Sequence, residues 1–152
     1  MKNTTIYFGA DHRGFHLKER LKAYLATRGF IVRDLGAHKR IATDDYATYG
    51  LRVARIVAKD PNSMGIVICG SGIGISVAAN KIQGIRAGLA HSVAQAKAGR
   101  RDDLINILAL AADFISTREA ERMVNVFLTT PPGTSQRYHR RARSLNRFGT
   151  KT

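Results

Sequence analysis

Short apolar runs of strand length alternate along this chain with longer segments in which apolar residues recur at helical spacing. The apolar runs predict strands near residues 5–8, 30–34, 65–69, 85–90 and 105–110. The segments between them predict helices near residues 15–27, 45–58, 75–81, 92–100 and 117–128. Strands and helices that alternate in this way form a parallel sheet with right-handed helical crossovers. We therefore predict an α/β fold built on a single doubly wound sheet.

A further helix is predicted in the basic C-terminal segment, near residues 134–147, directly after a Pro-Pro-Gly run. Thr134 or Ser135 is its candidate N-cap. Arg137 and Arg141 lie four residues apart and therefore share a helix face. Two guanidinium groups on one face suit a phosphate clamp, although a solvated basic face explains the same pattern.

Length and composition limit the class of protein. The 152 residues suit one domain, 1–152, with a core large enough to need neither metal nor disulfides. A single cysteine excludes an internal disulfide, which favours a reducing, cytoplasmic location. The first predicted strand follows the start closely, and no apolar run approaches the ~20 residues of a membrane span. We therefore expect an unprocessed protein that does not enter a membrane.

The formal charge of +14, from 25 Lys and Arg against 11 Asp and Glu, is the strongest departure from average composition. A basic surface attracts phosphate groups, which fits either a nucleic acid or a small anionic substrate. The chain has no tryptophan, and aromatic residues do not alternate with basic ones outside the C-terminal segment. The sequence therefore offers few aromatic residues on which nucleic-acid bases could stack. A small anionic substrate is favoured over a nucleic-acid partner.

Residues 65–76 contain the main candidate chemistry. An apolar run ends at Cys69, and glycines then alternate at positions 70, 72 and 74 before a helical segment. Backbone N–H groups at such a turn favour an anion or a developing oxyanion, and Cys69 stands where substrates reach an open α/β sheet. The turn lacks the lysine of a P-loop and the spacing of a dinucleotide fingerprint. Taken alone, a cysteine in this setting is more often a small buried apolar residue.

Asp11 and His12 follow the first predicted strand, at the edge of the sheet where Cys69 also lies. The carboxyl ends of neighbouring parallel strands converge, so the three side chains are predicted to line one crevice. Taken singly, Asp11 is explained as a helix cap and His12 as an exposed histidine.

Further motifs run through nearly the whole chain. They are Gly-Ala-Asp-His-Arg-Gly-Phe at 9–15, Asp-Tyr at 45–46, Ile-Cys-Gly-Ser-Gly-Ile-Gly-Ile-Ser at 68–76, Ala-Ala-Asn-Lys at 78–81, Gly-Ile-Arg-Ala at 84–87 and Asn-Ile-Leu-Ala at 106–109. Together with the arginine helix, they resemble the ribose-5-phosphate isomerase type B and galactose-6-phosphate isomerase family of sugar-phosphate isomerases.

The resemblance implies a flavodoxin-like, three-layer form of the Rossmann-like fold with an extra C-terminal helix. It also implies a homodimer or homotetramer whose active sites are shared between subunits. The expected activity is interconversion of an aldose and a ketose phosphate without a metal or other cofactor. Ribose 5-phosphate and ribulose 5-phosphate are the expected substrate pair, because that pair predominates in the family.

By the same resemblance, Cys69 is the base that moves a carbon-bound proton through a cis-enediolate, since Ile75 stands where other relatives carry a glutamate base. Ser71 exchanges a proton with the carbonyl oxygen, and the amides of the turn hold the enediolate oxygen. The expected substrate contacts are Asp11, His12, Gly70, Gly72, Gly74, Arg137 and Arg141.

Three positions depart from the family's pattern. Asp102 and Asp103 stand where ribose-5-phosphate members carry a His-Asn pair whose histidine opens the sugar ring. Asp102 is a candidate replacement, with Asp103 a candidate substrate contact, although a carboxylate near its ordinary pKa is a poor acid at neutral pH. Asp113 replaces an arginine that meets the phosphate, and Arg100 and Arg101 are candidates to offset that loss.

Three hypotheses accommodate the missing histidine. In the first, Asp102 takes the role of the histidine. In the second, the substrate is one that needs no ring opening, such as a tetrose phosphate. In the third, the chain is one subunit of a hetero-oligomer of the galactose-6-phosphate isomerase type. An isomerase of a hexose phosphate is a related alternative. A non-catalytic relative that binds a sugar phosphate or a nucleic acid belongs to a different class.

Overall fold

Five parallel strands form one sheet in the computed structural model, which describes residues 4–151. The strands are β1 (Thr5–Ala10), β2 (Ile31–Asp34), β3 (Ser63–Cys69), β4 (Ala87–Leu89) and β5 (Ile107–Ala111). Their order across the sheet is β2-β1-β3-β5-β4, and every neighbouring pair is parallel. The chain winds outward from the centre in both directions, which confirms the doubly wound topology.

Helices occupy the stretches between the strands and the C-terminal segment. They are α1 (Phe15–Ala26), α2 (Tyr46–Lys59), α3 (Ile73–Ala79), α4 (Val93–Asp102), α5 (Thr117–Thr129) and α6 (Gln136–Leu145). α5 packs with α1 and α4 on one side of the sheet, and α2 packs with α3 on the other. The three-layer fold and the extra C-terminal helix are thereby confirmed. Within residues 4–151, no helix has the length and apolarity needed to cross a bilayer.

β3 lies at the centre of the sheet and is buried along its whole length. Its side chains alternate between two apolar cores, as strand geometry requires. Met64, Ile66 and Ile68 belong to the core under α1 and α5, whereas Val67 and Cys69 belong to the core under α2 and α3. Cys69 therefore lies at the carboxyl end of the central strand, on the side of the sheet covered by α2 and α3.

All five strands differ from their predicted bounds at one end or both, and tertiary hydrogen bonds account for the differences in β1 and β4. β4 has 3 residues, since the chain still turns at Ile85 and the Arg86 N–H donates to the Asn106 side chain at 2.9 Å. β1 runs on to Ala10, because it pairs with β3 as far as Ile68. Apolar character alone predicted neither end.

Residues at the caps decide where helices begin. Asp45 precedes α2 and its side chain accepts the Ala47 N–H at 2.8 Å, so α2 begins one residue later than predicted. α3 begins at Ile73, directly after a left-handed Gly72 and two residues earlier than predicted. Ser135 precedes α6, but its side chain makes no capping hydrogen bond. Ser135 therefore occupies the predicted N-cap position, but the predicted capping hydrogen bond does not form.

The C-terminal segment returns to the amino edge of the sheet, where the strands begin. The Gly133 N–H donates to Arg101 O at 2.9 Å, beside the end of α4. After α6, Asn146 Oδ1 accepts a hydrogen bond from Arg86 Nη1 at 2.6 Å. α6 is thus tied at both ends close to the points where β4 and β5 begin.

Candidate active site

Cys69 ends β3 and begins a tight glycine turn. It is 4% exposed, and its Sγ accepts a hydrogen bond from the Gly72 N–H at 3.2 Å. Gly72 has a left-handed φ of +71°, and a Cβ on it would lie 2.5 Å from Leu89 Cδ1. Glycine is the residue that tolerates both the conformation and the close approach. A donor directed at the sulfur supports negative charge there, so the turn suits a thiolate.

Three amides of this turn have no acceptor among residues 4–151. The Gly72 N–H donates to Cys69, and the Ile73 N–H donates to Ser71 Oγ at 3.3 Å. The N–H groups of Gly70, Ser71 and Gly74 make no such bond within the described part of the chain. The turn therefore offers three backbone donors beside Cys69, and donors of this kind stabilise an oxyanion.

Asp11 and His12 lie beside the end of β3, as predicted for neighbouring strand ends. The Asp11 N–H donates to Ile68 O at 3.3 Å. The buried Asp11 carboxylate accepts the N–H groups of Arg13 and Gly14 at 3.0 and 2.9 Å, and so it folds the turn that leads into α1. Asp11 therefore has a local structural role, close to the capping role that its position suggests.

The His12 ring is held by a carboxylate that was not among the predicted site residues. Asp44 Oδ1 lies 2.7 Å from His12 Nδ1 and accepts the His12 N–H at 2.9 Å. Asp44 Oδ2 is buried without a hydrogen-bond partner among residues 4–151. Burial, followed by the Asp44 carboxylate, raises the pKa of Tyr49. The sequence signal that could have identified Asp44 was the Asp-Asp pair before α2. Only Asp45 of that pair is needed as the N-cap, which leaves Asp44 for another role.

Arg13 and Asp113 form an ion pair directly over Gly70. A Cβ on Gly70 would collide with both side chains, so the glycine leaves the space that they occupy. The Asp113 N–H donates to Gly70 O at 3.1 Å, which ties the β5–α5 turn to the cysteine turn. Tyr46 covers the next part of the turn, since a Cβ on Gly74 would lie 2.7 Å from its ring. Residues from the β1–α1 turn, the β5–α5 turn and the start of α2 thus pack against the turn that follows Cys69.

The other predicted site residues lie at the opposite edge of the sheet within one chain. Asp102 ends α4, a helix of 10 residues that runs from the end of β4 back to the start of β5, a rise of about 15 Å. Arg137 and Tyr138 of α6 lie close enough to Asp102 to help lower its pKa. Arg141 lies one turn further along α6. The length of the sheet therefore separates this group from Cys69.

Arg101 holds Asp102 in its charged form. Its Nε and Nη2 donate to the two Asp102 oxygens at 2.6 and 2.9 Å, and this hydrogen bonding lowers the pKa of Asp102 below its ordinary value. A carboxyl group with a lowered pKa is still more completely ionised at neutral pH, so it has even less proton to donate. Asp103 follows as the exposed C-cap of α4.

Arg100 and Arg101 do not lie beside Asp113 in this chain. Both belong to the last turn of α4 at the amino edge, where Arg100 Nη1 donates to Ile105 O at 2.9 Å. The prediction that they offset the arginine missing at position 113 is therefore wrong for a single chain. Arg13 is the residue that pairs with Asp113 instead.

Metal-ligating side chains are not grouped in the described part of the chain, where no cluster of three His, Cys, Asp or Glu residues has the geometry to hold an ion. Independence of the reaction from metals stays a prediction.

Comparison with known proteins identifies the family. The family model described as Ribose/Galactose Isomerase matches residues 6–145. Ribose-5-phosphate isomerase B of Mycobacterium tuberculosis (strain H37Rv) is 38% identical over 141 residues, which cover 93% of this chain and 87% of that protein. The solved structure of ribose-5-phosphate isomerase B from Mycoplasma genitalium with bound ribulose 5-phosphate matches with a TM-score of 0.91 at 35% identity, covering 95% of each chain. A ribose 5-phosphate isomerase from Thermotoga maritima matches with a TM-score of 0.90 at 34% identity, covering 95% of this chain and 99% of that one. The chain therefore belongs to the ribose/galactose isomerase family.

Proposed function

We propose that this protein interconverts ribose 5-phosphate and ribulose 5-phosphate, with Cys69 as the base. The observation that carries the proposal is the turn at Cys69, where Sγ accepts the Gly72 N–H and the N–H groups of Ser71 and Gly74 remain for a ligand. Relatives that match nearly the whole chain bear the name ribose-5-phosphate isomerase B, and one of them was solved with ribulose 5-phosphate bound.

Isomerisation moves one hydrogen between neighbouring carbon atoms. In the open-chain aldose, the Cys69 thiolate takes the proton from C2, and the carbonyl oxygen on C1 becomes negative as the cis-enediolate forms. The N–H groups of Ser71 and Gly74 stabilise that oxygen, and Ser71 Oγ relays a proton from O2 to O1. Return of the proton from Cys69 to C1 then yields the ketose and regenerates the thiolate.

Ribose 5-phosphate must open its ring before the C2 proton becomes acidic. Opening removes a proton from the anomeric hydroxyl and adds one to the ring oxygen. We assign the first step to Asp102, because Arg101 keeps it ionised, and we place Asp103 beside it as a sugar contact. The lowered pKa makes Asp102 a poor donor, so the proton for the ring oxygen comes from another group, such as a water molecule.

We further propose that each active site joins the Cys69 edge of one subunit to the amino edge of a second copy. Asp102, Arg137 and Arg141 lie on the far side of the sheet from Cys69 in their own chain, so they reach a substrate there from a partner. A homodimer is the smallest assembly that completes a site in this way, and a homotetramer would repeat it. Asp11 and His12 then contact the sugar from the same subunit as Cys69.

The outer face of α3 offers an apolar surface for such a partner. Ile73 and Val77 lie four residues apart on this helix and are 58% and 52% exposed. Tyr46, which packs over Gly74, adds an exposed aromatic ring beside them. A contiguous exposed apolar surface marks a contact site for another protein, and here it lies next to the cysteine turn.

We also place the protein in the cytoplasm. The proposed reaction needs Cys69 as a thiolate, and the free cysteine persists in a reducing compartment.

The test is a panel of four-, five- and six-carbon aldose phosphates, assayed for ketose formation without added metal. We expect ribose 5-phosphate to give the highest kcat/KM. Cys69→Ala should lower kcat by about 10²- to 10⁴-fold, the usual contribution of a general base. Urea unfolding of the variant checks that it is folded.

Each other outcome has a definite meaning. A clear preference for a tetrose phosphate would contradict the ribose phosphate assignment and favour a substrate without a ring. Turnover by Cys69→Ala at nearly the wild-type rate would remove Cys69 as the base. Turnover that appears only after co-expression with a second family member would identify a subunit of a hetero-oligomer.

A further inference from the structure

We propose that Arg13, whose side chain pairs with Asp113, binds the anionic group of the substrate in the half of the active site that carries Cys69, called here the Cys69 half. The assignment rests on the proposed sugar-phosphate substrate. It places the phosphate-binding arginine in the β1–α1 turn and not in the β5–α5 turn, where position 113 is an aspartate.

Arg13 lies where the turns around Cys69 meet. Its guanidinium pairs with Asp113, and both side chains lie over Gly70, the residue that follows Cys69. The two partners are held from opposite sides, since the Arg13 N–H donates to the Asp11 carboxylate at 3.0 Å and the Asp113 N–H donates to Gly70 O at 3.1 Å. A positive group is thereby fixed over the cysteine turn.

Arg13 keeps donors for a ligand. Its side chain is 55% exposed, and Nη2 is the atom that pairs with Asp113. Its Nε and Nη1 have no acceptor among residues 4–151. The planar fork of guanidinium N–H groups matches the spacing of phosphate oxygens. The ion pair therefore restrains the side chain without consuming the donors that a phosphate needs.

The charges at positions 13 and 113 cancel within the ion pair, so a phosphate would be bound through the remaining guanidinium N–H groups. Asp113 by itself would repel a phosphate, but the Arg13 guanidinium covers that carboxylate. Arg40, another arginine near the β1–α1 turn, is exposed and its Nε reaches a carbonyl oxygen there only at 3.4 Å. Arg137 and Arg141 belong to the opposite edge of the chain. Arg13 is thus the positive group that the subunit carrying Cys69 contributes to its own active site.

Variants of Arg13 test the assignment. We expect Arg13→Ala to raise both KM for ribose 5-phosphate and the dissociation constant of inorganic phosphate, measured by calorimetry, by about 10- to 100-fold, because it removes hydrogen bonds to a charged group. The value of kcat at saturation should fall less than about fivefold, since the phosphate does not react. Arg13→Lys keeps the charge without the fork and should give intermediate values. Arg20→Ala, at an exposed arginine of α1, is the matched control and should change neither constant.

Variants of Asp113 separate binding from a structural role. If Arg13 only held the turn in place, Asp113→Asn would weaken phosphate binding as much as Arg13→Ala. We expect Asp113→Asn to bind phosphate within about threefold of wild type or more tightly, because a nearby negative charge is removed. The double variant Arg13→Ala/Asp113→Arg should recover most of the lost affinity.

Unchanged phosphate affinity in folded Arg13→Ala protein would overturn the assignment. Equal losses in Arg13→Ala and Asp113→Asn, or a wild-type protein that does not bind phosphate, would also overturn it. The calorimetric measurement needs no turnover, so the two proposals can fail separately. Wild-type protein that binds phosphate through Arg13 but isomerises no aldose phosphate would contradict the proposed function alone.

Discussion

His12 Nδ1 lies 2.7 Å from Asp44 Oδ1, although the two residues are 32 positions apart in the chain. The same oxygen accepts the His12 backbone N–H at 2.9 Å, so backbone and ring are held together. With a carboxylate at Nδ1, the neutral ring carries its proton on that nitrogen and leaves Nε2 as the acceptor for the proposed sugar contact. Asp44 is therefore a positioning residue for His12.

Asp44→Ala tests this relationship. We expect it to lower kcat/KM about tenfold, because the His12 ring loses the group that selects its orientation and tautomer. Asp44→Asn keeps an oxygen acceptor and should retain more activity. Nitrogen NMR of the His12 ring should show protonation of Nδ1 in wild-type protein and a mixture of tautomers in Asp44→Ala. Asp45→Asn, which preserves the N-cap of α2, is the neighbouring control. An unchanged NMR spectrum in Asp44→Ala would contradict the positioning role.

Gly72→Ala should damage both the fold and the reaction. The left-handed φ of +71° strains alanine by about 1–2 kcal/mol. The added Cβ would also meet Leu89 Cδ1 and the Leu110 backbone, at 2.5 and 3.0 Å. The turn would have to shift, which moves the N–H that bonds to Cys69, so kcat should fall at least tenfold.

Gly84→Ala is the matched control for that substitution. Gly84 has a similar φ of +82°, and, apart from its chain neighbours, no other atom of residues 4–151 lies within 4 Å of a Cβ built on it. We expect a comparable loss of about 1 kcal/mol in the free energy of unfolding with kcat unchanged. Equal losses of kcat in the two variants would show that backbone strain alone, and not the cysteine turn, explains the effect of Gly72→Ala.

Mixed oligomers test whether two subunits share a site. Cys69→Ala and Arg137→Ala/Arg141→Ala proteins should each be nearly inactive alone. After co-expression, half of the dimers are mixed and one of their two sites is intact, so activity should return to about a quarter of wild type. Cys69→Ala combined with His12→Ala places both defects in the same half and should regain nothing. Failure of the first pair to regain activity would contradict the shared site.

Asp34→Asn should destabilise the loop that follows β2. Asp34 Oδ2 lies 2.7 Å from Nζ of the fully buried Lys18, which also donates to Ala37 O at 2.6 Å. Burial by itself would raise the pKa of Asp34, but hydrogen bonds from Lys18 and Lys22 outweigh it and lower that pKa. We expect the free energy of unfolding to fall by about 2 kcal/mol at neutral pH, because the buried ammonium loses its main partner.

The effect of pH on this variant has a definite sign. Since the folded pKa of Asp34 lies below the unfolded value of about 3.9, its stabilising contribution is complete above that pH and is lost as pH falls through the folded pKa. Urea unfolding should therefore show a smaller difference between wild type and Asp34→Asn at about pH 3 than at neutral pH. Exposed Asp103→Asn should change stability by less than about 0.5 kcal/mol at neutral pH. An equal difference at both pH values would contradict the ion-pair explanation.

Local pattern was sufficient for most elements of the fold. β3 reads as a strand because its residues are apolar along the whole length of a central, fully buried strand. Predicted ends failed where a bond from another segment intervenes, as at Arg86, whose N–H is taken by the Asn106 side chain. The predicted strand at 85–90 has apolar residues on both sides of Arg86, so hydrophobicity could not reveal where β4 begins.

Residues that are neighbours in the chain were enough to predict the alternating α/β elements, the thiol at a strand end and the glycine turn beside it, because periodicity and turn chemistry are local properties. They did not predict that Arg13 pairs with Asp113, 100 positions away, or that Asp44 holds His12. Those contacts depend on the order β2-β1-β3-β5-β4, which brings the loops after β1, β2, β3 and β5 to one edge. The folded chain also set Asp102 and Arg137 at the opposite edge, since α4 returns along the length of the sheet before α6 begins. Contacts between distant segments follow from which strands become neighbours, and alternation of strands and helices is compatible with several such orders.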